Sequence, residues 1–486
     1  MSEVVSLERR GPIAVITVNN PPVNALGQAV REGLQQSFAA AEADAAVQAV
    51  VLVCEGNTFI AGADIKEFGK PPMAPSLPEV IEGLEACSKP SVAVIHGTAL
   101  GGGLEVALGC HYRIARKDSQ VGLPEVKLGL LPGAGGTQRL PRVAGVARAL
   151  DMIVSGAPIK AAEALQFNIV DELFEGDLRE AGIAYAQKLI AEGRGARRTG
   201  EQSAALEGVD NAALVAAKHA EVAKRMRGLF SPLRCIAAVE ASFSLPLSEG
   251  LKRERELFTE CLSSPQRAAL VYSFFSERQA AKVEGLDPKT PTRAFDKVAV
   301  IGGGTMGVGI ALSFANAGIP VRILEISSEA RDKAMERASG TYAASVKRGS
   351  LTQDAMDKRM ALVTGVTNYA DLADVDLVIE AVFEDMGVKQ KVFEQLDAVC
   401  KPGAILASNT SSLDLNVIAG FTKRPQDVVG LHFFSPANVM RLLEVVRAEK
   451  TSDEVLATAL AIGKKLKKVS VVVGVCDGFV GNRMVF

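Results

Sequence analysis

The chain has 486 residues, enough for two or three domains, and 48% of them are hydrophobic, which provides for sizeable cores. A formal net charge of −2 without any block of lysine or arginine argues against nucleic acid as a partner. No uncharged apolar stretch is long enough to span a bilayer, and the opening MSEVVSLERR has no signal core, so membrane insertion is not expected.

The seven cysteines are scattered without a CxxC pair, which suits reduced thiols in a cytosol-like compartment and offers no zinc site. Residues 12–18 form a β-branched run that reads as a strand, broken by Asn19-Asn20-Pro21-Pro22. A helix is expected over 26–45, and strands over Ala49–Cys54 and Ser91–Ile95. Phe59 to Lys66 reads as a small-residue turn leading towards a helix. Strand, turn and helix recur, which predicts an α/β fold.

The stretch Gly101–Arg139 concentrates the chemistry. A glycine triplet, Gly101-Gly102-Gly103, opens a helix, and Glu105 and Glu125 stand twenty residues apart. A second glycine-rich turn, Pro132-Gly133-Ala134-Gly135-Gly136, follows. Glycines beside paired carboxylates suit backbone amides that grip a carbonyl while two acids move protons. Each glutamate alone would read as an ordinary helix or loop acid.

Residues 145–195 and 196–285 are helix-rich. The second span, with its charged run Lys252-Arg253-Glu254-Arg255-Glu256, reads as supporting or linker helices without chemistry. Prolines, a glycine and mixed charges at 285–296 mark a domain boundary. Beyond it, Lys297–Ile301 reads as a buried strand, Gly302-Gly303-Gly304-Thr305-Met306-Gly307 as a turn, and Val308–Ala317 as a helix. The next strand, Val321–Leu324, ends at Glu325, eighteen residues past Gly307. This is the dinucleotide fingerprint in its proper context, with Gly302, Gly304 and Gly307 letting backbone approach a pyrophosphate at a helix N-terminus. FAD shares the fingerprint. Glu325 would accept the ribose hydroxyls and repel a 2′-phosphate, so NAD is expected over NADP. Further strands are expected at Val375–Glu380 and Ala404–Ser408. His432, with Glu444 twelve residues on, suits a base that takes an alcohol proton, although a histidine in an apolar run is more often a packed core residue.

Residues 1–195 resemble the enoyl-CoA hydratase/isomerase (crotonase) superfamily through Ala61-Gly62-Ala63-Asp64, Leu100–Glu105, Leu123-Pro124-Glu125 and Pro132–Gln138. Residues 296–486 resemble 3-hydroxyacyl-CoA dehydrogenase through the glycine fingerprint, Glu380–Asp385, Ser408–Ser412, Leu431–Pro436 and Gly478–Arg483. The order resembles multifunctional β-oxidation enzymes of the peroxisomal type 1 family. The alternatives are the α-subunit of a trifunctional complex and a non-catalytic acyl-CoA or NAD-binding module. The resemblance implies a crotonase-like spiral ββα domain (1–195), a helical extension and linker (196–285), a doubly wound Rossmann NAD-binding domain (296–475), and at 476–486 the start of a further helical domain cut short by truncation, which would leave the dehydrogenase site incomplete. It also implies hydration of 2-enoyl-CoA, Δ3,Δ2-enoyl isomerisation and NAD-dependent oxidation of 3-hydroxyacyl-CoA. Glu105 and Glu125 become the acid/base pair, with Ala63 and Gly102 as oxyanion donors. His432 becomes the dehydrogenase base and Glu444 its orienting partner. Ser411 and Asn482 hold the substrate oxygen, Asn409 lies nearby, and Glu384 and Lys389 contact the cofactor. Acyl-CoA thioesters are the expected ligands, a monomer the expected state and a thiolase the expected partner. The compartment is bacterial cytoplasm, or the peroxisome in a eukaryote.

Overall fold

A computed structural model describes residues 4–485 except 65, 66, 68, 69 and 72. The expected helix entry at Ile65 and Lys66 lies outside the described residues. Two compact units emerge, Met1–Phe274 and Phe275–Phe486.

In the first unit, strands β1 (Val5–Arg10), β2 (Ile13–Val18), β3 (Ala49–Cys54), β4 (Ser91–Ile95), β5 (Thr98–Leu100), β6 (Tyr112–Arg116), β7 (Gln120–Gly122), β8 (Ile159–Lys160) and β9 (Glu172–Phe174) form two sheets. The larger runs β1-β2-β3-β4-β6-β9 and the smaller β5-β7-β8. In the larger sheet β1 pairs antiparallel with β2, and β2, β3, β4, β6 and β9 pair in parallel. β2, β3 and β4 are buried at every position, as their largely apolar, Val-rich runs require of strands covered on both faces. β1 was not expected: it is exposed along most of its length and carries Glu8, Arg9 and Arg10, a sheet edge written in charged residues.

The segment after β5 turns into the Gly102–Gly109 helix through Gly101, whose φ of 55° is a left-handed backbone region that glycine adopts without strain. The Gly101 amide donates to the Gly122 carbonyl at 2.9 Å, so the helix start is tied to the end of β7. Alongside, Ile60 bridges Ala99 and Leu26 bridges Ala63. The 60–63 backbone is thereby laid against the helix entry. The span read as supporting helices folds as Asn211–Arg225, Ser231–Ser244 and Leu247–Leu262, all within this unit, followed by Pro265–Ala280.

In the second unit, β10 (Val298–Ile301), β11 (Val321–Leu324), β12 (Val363–Val366), β13 (Leu377–Glu380), β14 (Ile405–Ser408), β15 (Val428–Phe433), β16 (Leu442–Arg447) and β17 (Val469–Gly474) make one sheet. Its order is β12-β11-β10-β13-β14-β15-β16-β17. β12 to β15 pair in parallel, β16 is antiparallel to β15, and β17 runs parallel to β16. Chain order reverses at β10, between β11 and β13, and a doubly wound sheet binds ligands in the crevice at such a point. Helix Thr305–Asn316 begins three residues earlier than expected and takes Gly307 into its first turn. Among the described residues no helix is long and apolar enough to cross a membrane.

Candidate active sites

Glu105 sits in the first turn of the Gly102–Gly109 helix and is 3% exposed. Its Oε1 accepts from the Ala134 amide at 2.8 Å and the Gly136 amide at 2.9 Å. Burial raises its pKa, while those two amides and the nearby Arg139 guanidinium oppose the rise. Glu125 opens a short 3₁₀ turn after β7, and its carboxyl lies against Gly101, where a Cβ would stand 2.9 Å from Glu125 Oε1. Its Oε2 is buried without a hydrogen-bond partner. Burial, then the charge of Glu105, push its pKa well above the carboxylate range. The two acids therefore differ in surroundings: two amides meet the Glu105 carboxyl and oppose its upward shift, whereas Glu125 Oε2 meets no partner and the Glu125 pKa is pushed up further.

Gly102 is the first residue of its helix, so its amide has no intrahelical acceptor. The Ala63 nitrogen lies 3.8 Å from where a Gly102 Cβ would be. The backbone of Ala63 thus lies close to the backbone of Gly102.

The helical extension, read from the sequence as supporting helices, places one acid at the 134–137 turn. Glu254, in Leu247–Leu262, is 2% exposed and reaches the same glycine turn. Its Oε1 accepts from the Gly135 amide at 2.6 Å, and its Oε2 from the Thr137 amide at 3.0 Å and the Thr137 hydroxyl. Burial and the proximity of Glu105 push its pKa up to about 8, against Thr137, Gly135 and Arg139. The charged run 252–256 hid it. The readable signal was the helical stripe Gly250, Glu254, Leu257, Cys261, which is buried and places one acid among small and apolar residues.

In the second unit the glycine turn follows β10. A Cβ on Gly307 would collide with the Gly302 carbonyl, and Gly302 itself has φ of 98°. Nothing lies within 4 Å of the Cβ position of Gly304. That open space before a helix N-terminus fits a pyrophosphate. Glu325 closes β11 and lies across the turn, accepting from the Gly303 amide at 2.5 Å and the Ile326 amide at 3.2 Å. Each carboxylate oxygen retains a second lone pair for a ribose hydroxyl. The residues present fit NAD.

His432 on β15 and Glu444 on β16 stand directly opposite in the antiparallel register, with Nδ1 to Oε2 at 2.6 Å. The other Glu444 oxygen accepts from the Val480 and Gly481 amides at 3.0 and 2.6 Å. Phe434 and Phe479 flank the imidazole, at ring-centroid distances of 4.5 and 5.9 Å. Asn482 Nδ2 donates to the Ser411 carbonyl at 3.3 Å, and Asn409 Oδ1 accepts from the Phe433 amide at 2.8 Å. Glu384 accepts from the Thr410 hydroxyl and the Ser411 amide, both at 2.7 Å. Burial works to raise the Glu384 pKa, but Thr410 and the Lys389 charge prevail and lower it.

Lys389, expected at the cofactor, is instead an internal counter-ion. It is 1% exposed, and its ammonium lies 2.7 and 2.8 Å from the two Glu380 oxygens and 3.1 Å from Glu384. Those contacts occupy the three donors an ammonium has. Glu380, fully buried at the end of β13, also accepts from the Val382 amide and the Ser408 hydroxyl. Its place beside the crevice was visible in the sequence, but its role as an anchor of Lys389 was not.

Residues 8–226 match the family model for enoyl-CoA hydratase/isomerase, and residues 297–476 that for the NAD-binding domain of 3-hydroxyacyl-CoA dehydrogenase. Two enzyme classes are thus joined in one chain, a crotonase-type hydratase/isomerase followed by a 3-hydroxyacyl-CoA dehydrogenase Rossmann domain. The chain is 45% identical over 480 residues to the peroxisomal bifunctional enzyme of Danio rerio, covering 97% of this chain and 65% of that protein. For the peroxisomal bifunctional enzyme of Homo sapiens the identity is 42% over 478 residues, covering 97% and 66%. The peroxisomal fatty acid beta-oxidation multifunctional protein of Oryza sativa subsp. japonica is 40% identical over 485 residues, covering 98% and 67%. The chain belongs to this family of multifunctional β-oxidation enzymes and spans about two thirds of the length of these relatives.

Proposed function

We propose that the first unit hydrates 2-enoyl-CoA thioesters and that the second contributes NAD-dependent oxidation of the resulting 3-hydroxyacyl-CoA. The asymmetry between Glu105 and Glu125 carries the reading. Glu105, whose carboxyl accepts from two amides, takes a proton from the water that attacks C3. Glu125, protonated in its buried setting, delivers its proton to C2. The thioester oxygen gathers charge between these events, and the amides of Ala63 and Gly102 receive it. One such donor is typically worth about 3 kcal/mol in the transition state. A 3-enoyl thioester in the same pocket would need one glutamate to move a proton from C2 to C4, which gives Δ3,Δ2 isomerisation.

In the second unit, bound NAD supplies the hydride acceptor. His432 takes the hydroxyl proton through Nε2, and Glu444 orients the ring through Nδ1 and stabilises its cationic form. Ser411 and Asn482 hold the substrate oxygen, with Asn409 nearby. Glu384 contacts the cofactor, while Lys389 holds Glu384 and Glu380 in place. A 3-ketoacyl-CoA product is a thiolase substrate, so a thiolase is the functional partner. Its peroxisomal relatives support a peroxisomal setting.

The test is absorbance at the enoyl-thioester band when crotonyl-CoA is mixed with the protein. Loss of the band is expected. An unchanged band at high protein concentration would overturn the hydratase reading.

A further inference from the structure

The turn 134–137 is gripped from two sides. Ala134 and Gly136 donate to Glu105, and Gly135 and Thr137 donate to Glu254. Four successive amides thus alternate between two carboxyls, one from the crotonase core and one from the helical extension. Gln138 Nε2 donates to Thr137 Oγ1 at 2.9 Å, which directs the Thr137 hydroxyl hydrogen to Glu254. Gly250, one turn before Glu254, allows the close approach: a Cβ there would run into the Gln138 side chain.

We propose that Glu254 is a positioning residue of the hydratase site, holding the 134–137 turn so that the Ala134 and Gly136 amides meet Glu105. The proposal rests on the hydratase reading above. It makes the catalytic half depend on a helix well outside the span 1–195. The second link is electrostatic. Glu254 is among the causes that raise Glu125, after burial and Glu105. The charged groups around it are Glu105, Glu125 and Arg139; Arg139 is paired with Glu85 at 2.6 Å, and Arg142 adds a further positive charge beside it. The buried Cys235 thiol lies near Glu125.

The experiment compares wild type, Glu254→Gln and Leu257→Ala in crotonyl-CoA hydration from pH 5.5 to 9.5, with thermal midpoints alongside. Wild-type turnover tests the hydratase reading by itself; the variants test the proposal. Leu257 is a buried neighbour on the same helix, so Leu257→Ala loosens the helix while leaving the carboxyl. Glu254→Gln is expected to lower kcat roughly tenfold or more, since sub-ångström misplacement of a catalytic group has effects of that order. KM should stay within about threefold, and the basic limb of kcat/KM should move to lower pH as Glu125 loses a negative neighbour. Leu257→Ala should lower the midpoint and leave the pH profile in place. A Glu254→Gln profile superimposed on wild type, or a Leu257→Ala profile identical to that of Glu254→Gln, overturns the proposal. If Glu254→Gln does not fold, Thr137→Val removes one donor to the same carboxyl. The basic limb should then move in the same direction, and an unmoved limb overturns the proposal equally.

Discussion

Replacing Gly136 by alanine would set a methyl carbon 2.8 Å from Glu105 Oε1 and 2.9 Å from Pro132 Cβ. Ordinary contact begins near 3.4 Å, so the carboxyl must retreat by about half an ångström or the turn must open. Either movement stretches the 2.9 Å bond from the Gly136 amide, which with the Ala134 amide holds Glu105 Oε1. A 1 Å misplacement of catalytic groups costs on the order of 10²-fold, so half that displacement predicts a fall in kcat of about 10-fold, or about 1.4 kcal/mol of barrier. The pH profile supplies a second sign. Amide donation lowers the Glu105 pKa against the effect of burial. Weakening it must raise that pKa, and the acidic limb of kcat/KM should move to higher pH. Steady-state hydration of crotonyl-CoA across pH reads both quantities. A Gly136→Ala enzyme with wild-type kcat and an unmoved acidic limb would refute the idea that these amides set the state of Glu105.

Glu125→Gln should reduce hydration by about 10²- to 10⁴-fold, the usual contribution of a general acid. Its thermal midpoint relative to wild type should improve as pH rises. A carboxyl whose folded pKa is raised destabilises the fold increasingly as pH climbs from the unfolded value through the folded one, and glutamine removes that loss; a midpoint difference flat between pH 5 and 9 would contradict the raised pKa. Gly307→Ala should weaken NADH binding, followed by cofactor fluorescence, by at least about tenfold, because the added carbon meets the Gly302 carbonyl and deforms the turn. Glu444→Gln should slow 3-hydroxyacyl-CoA oxidation by about 10²-fold or more while leaving NADH affinity within about threefold, since Glu444 stabilises a charged His432 and bonds to His432, Val480 and Gly481 rather than to the glycine turn.

Local signals carried most of the readable structure. β3 and β4 fall where their apolar runs begin and end, and the β10 turn declares itself because strand, glycines and helix are consecutive in the chain. β15 to β17 were harder. His432 and Glu444 could be named as a pair, yet their meeting depends on an antiparallel register that only the sheet defines. Glu254 was legible only as the acid in a buried helical stripe, because its partners lie more than a hundred residues earlier and its chain neighbours are charged. Lys389 is expected at the cofactor, whereas its contacts in the fold run to Glu380 and Glu384. What decided its role is the depth of Glu380, and burial of that kind is a property of the packed sheet rather than of the motif.

The placement of His432 opposite Glu444 sets different tolerances along one hairpin. Strand faces alternate with every residue, so a single insertion or deletion inside β16 before Glu444 would turn that carboxyl to the opposite side of the sheet from the imidazole. The connection between Phe433 and Leu442 is under no such rule, because its length does not change the pairing that follows. Length variation among functional relatives should therefore collect in that connection and avoid the strands. A library of one-residue insertions scanned from 434 to 446 would trace the boundary as an abrupt loss of dehydrogenation where the loop gives way to the ladder.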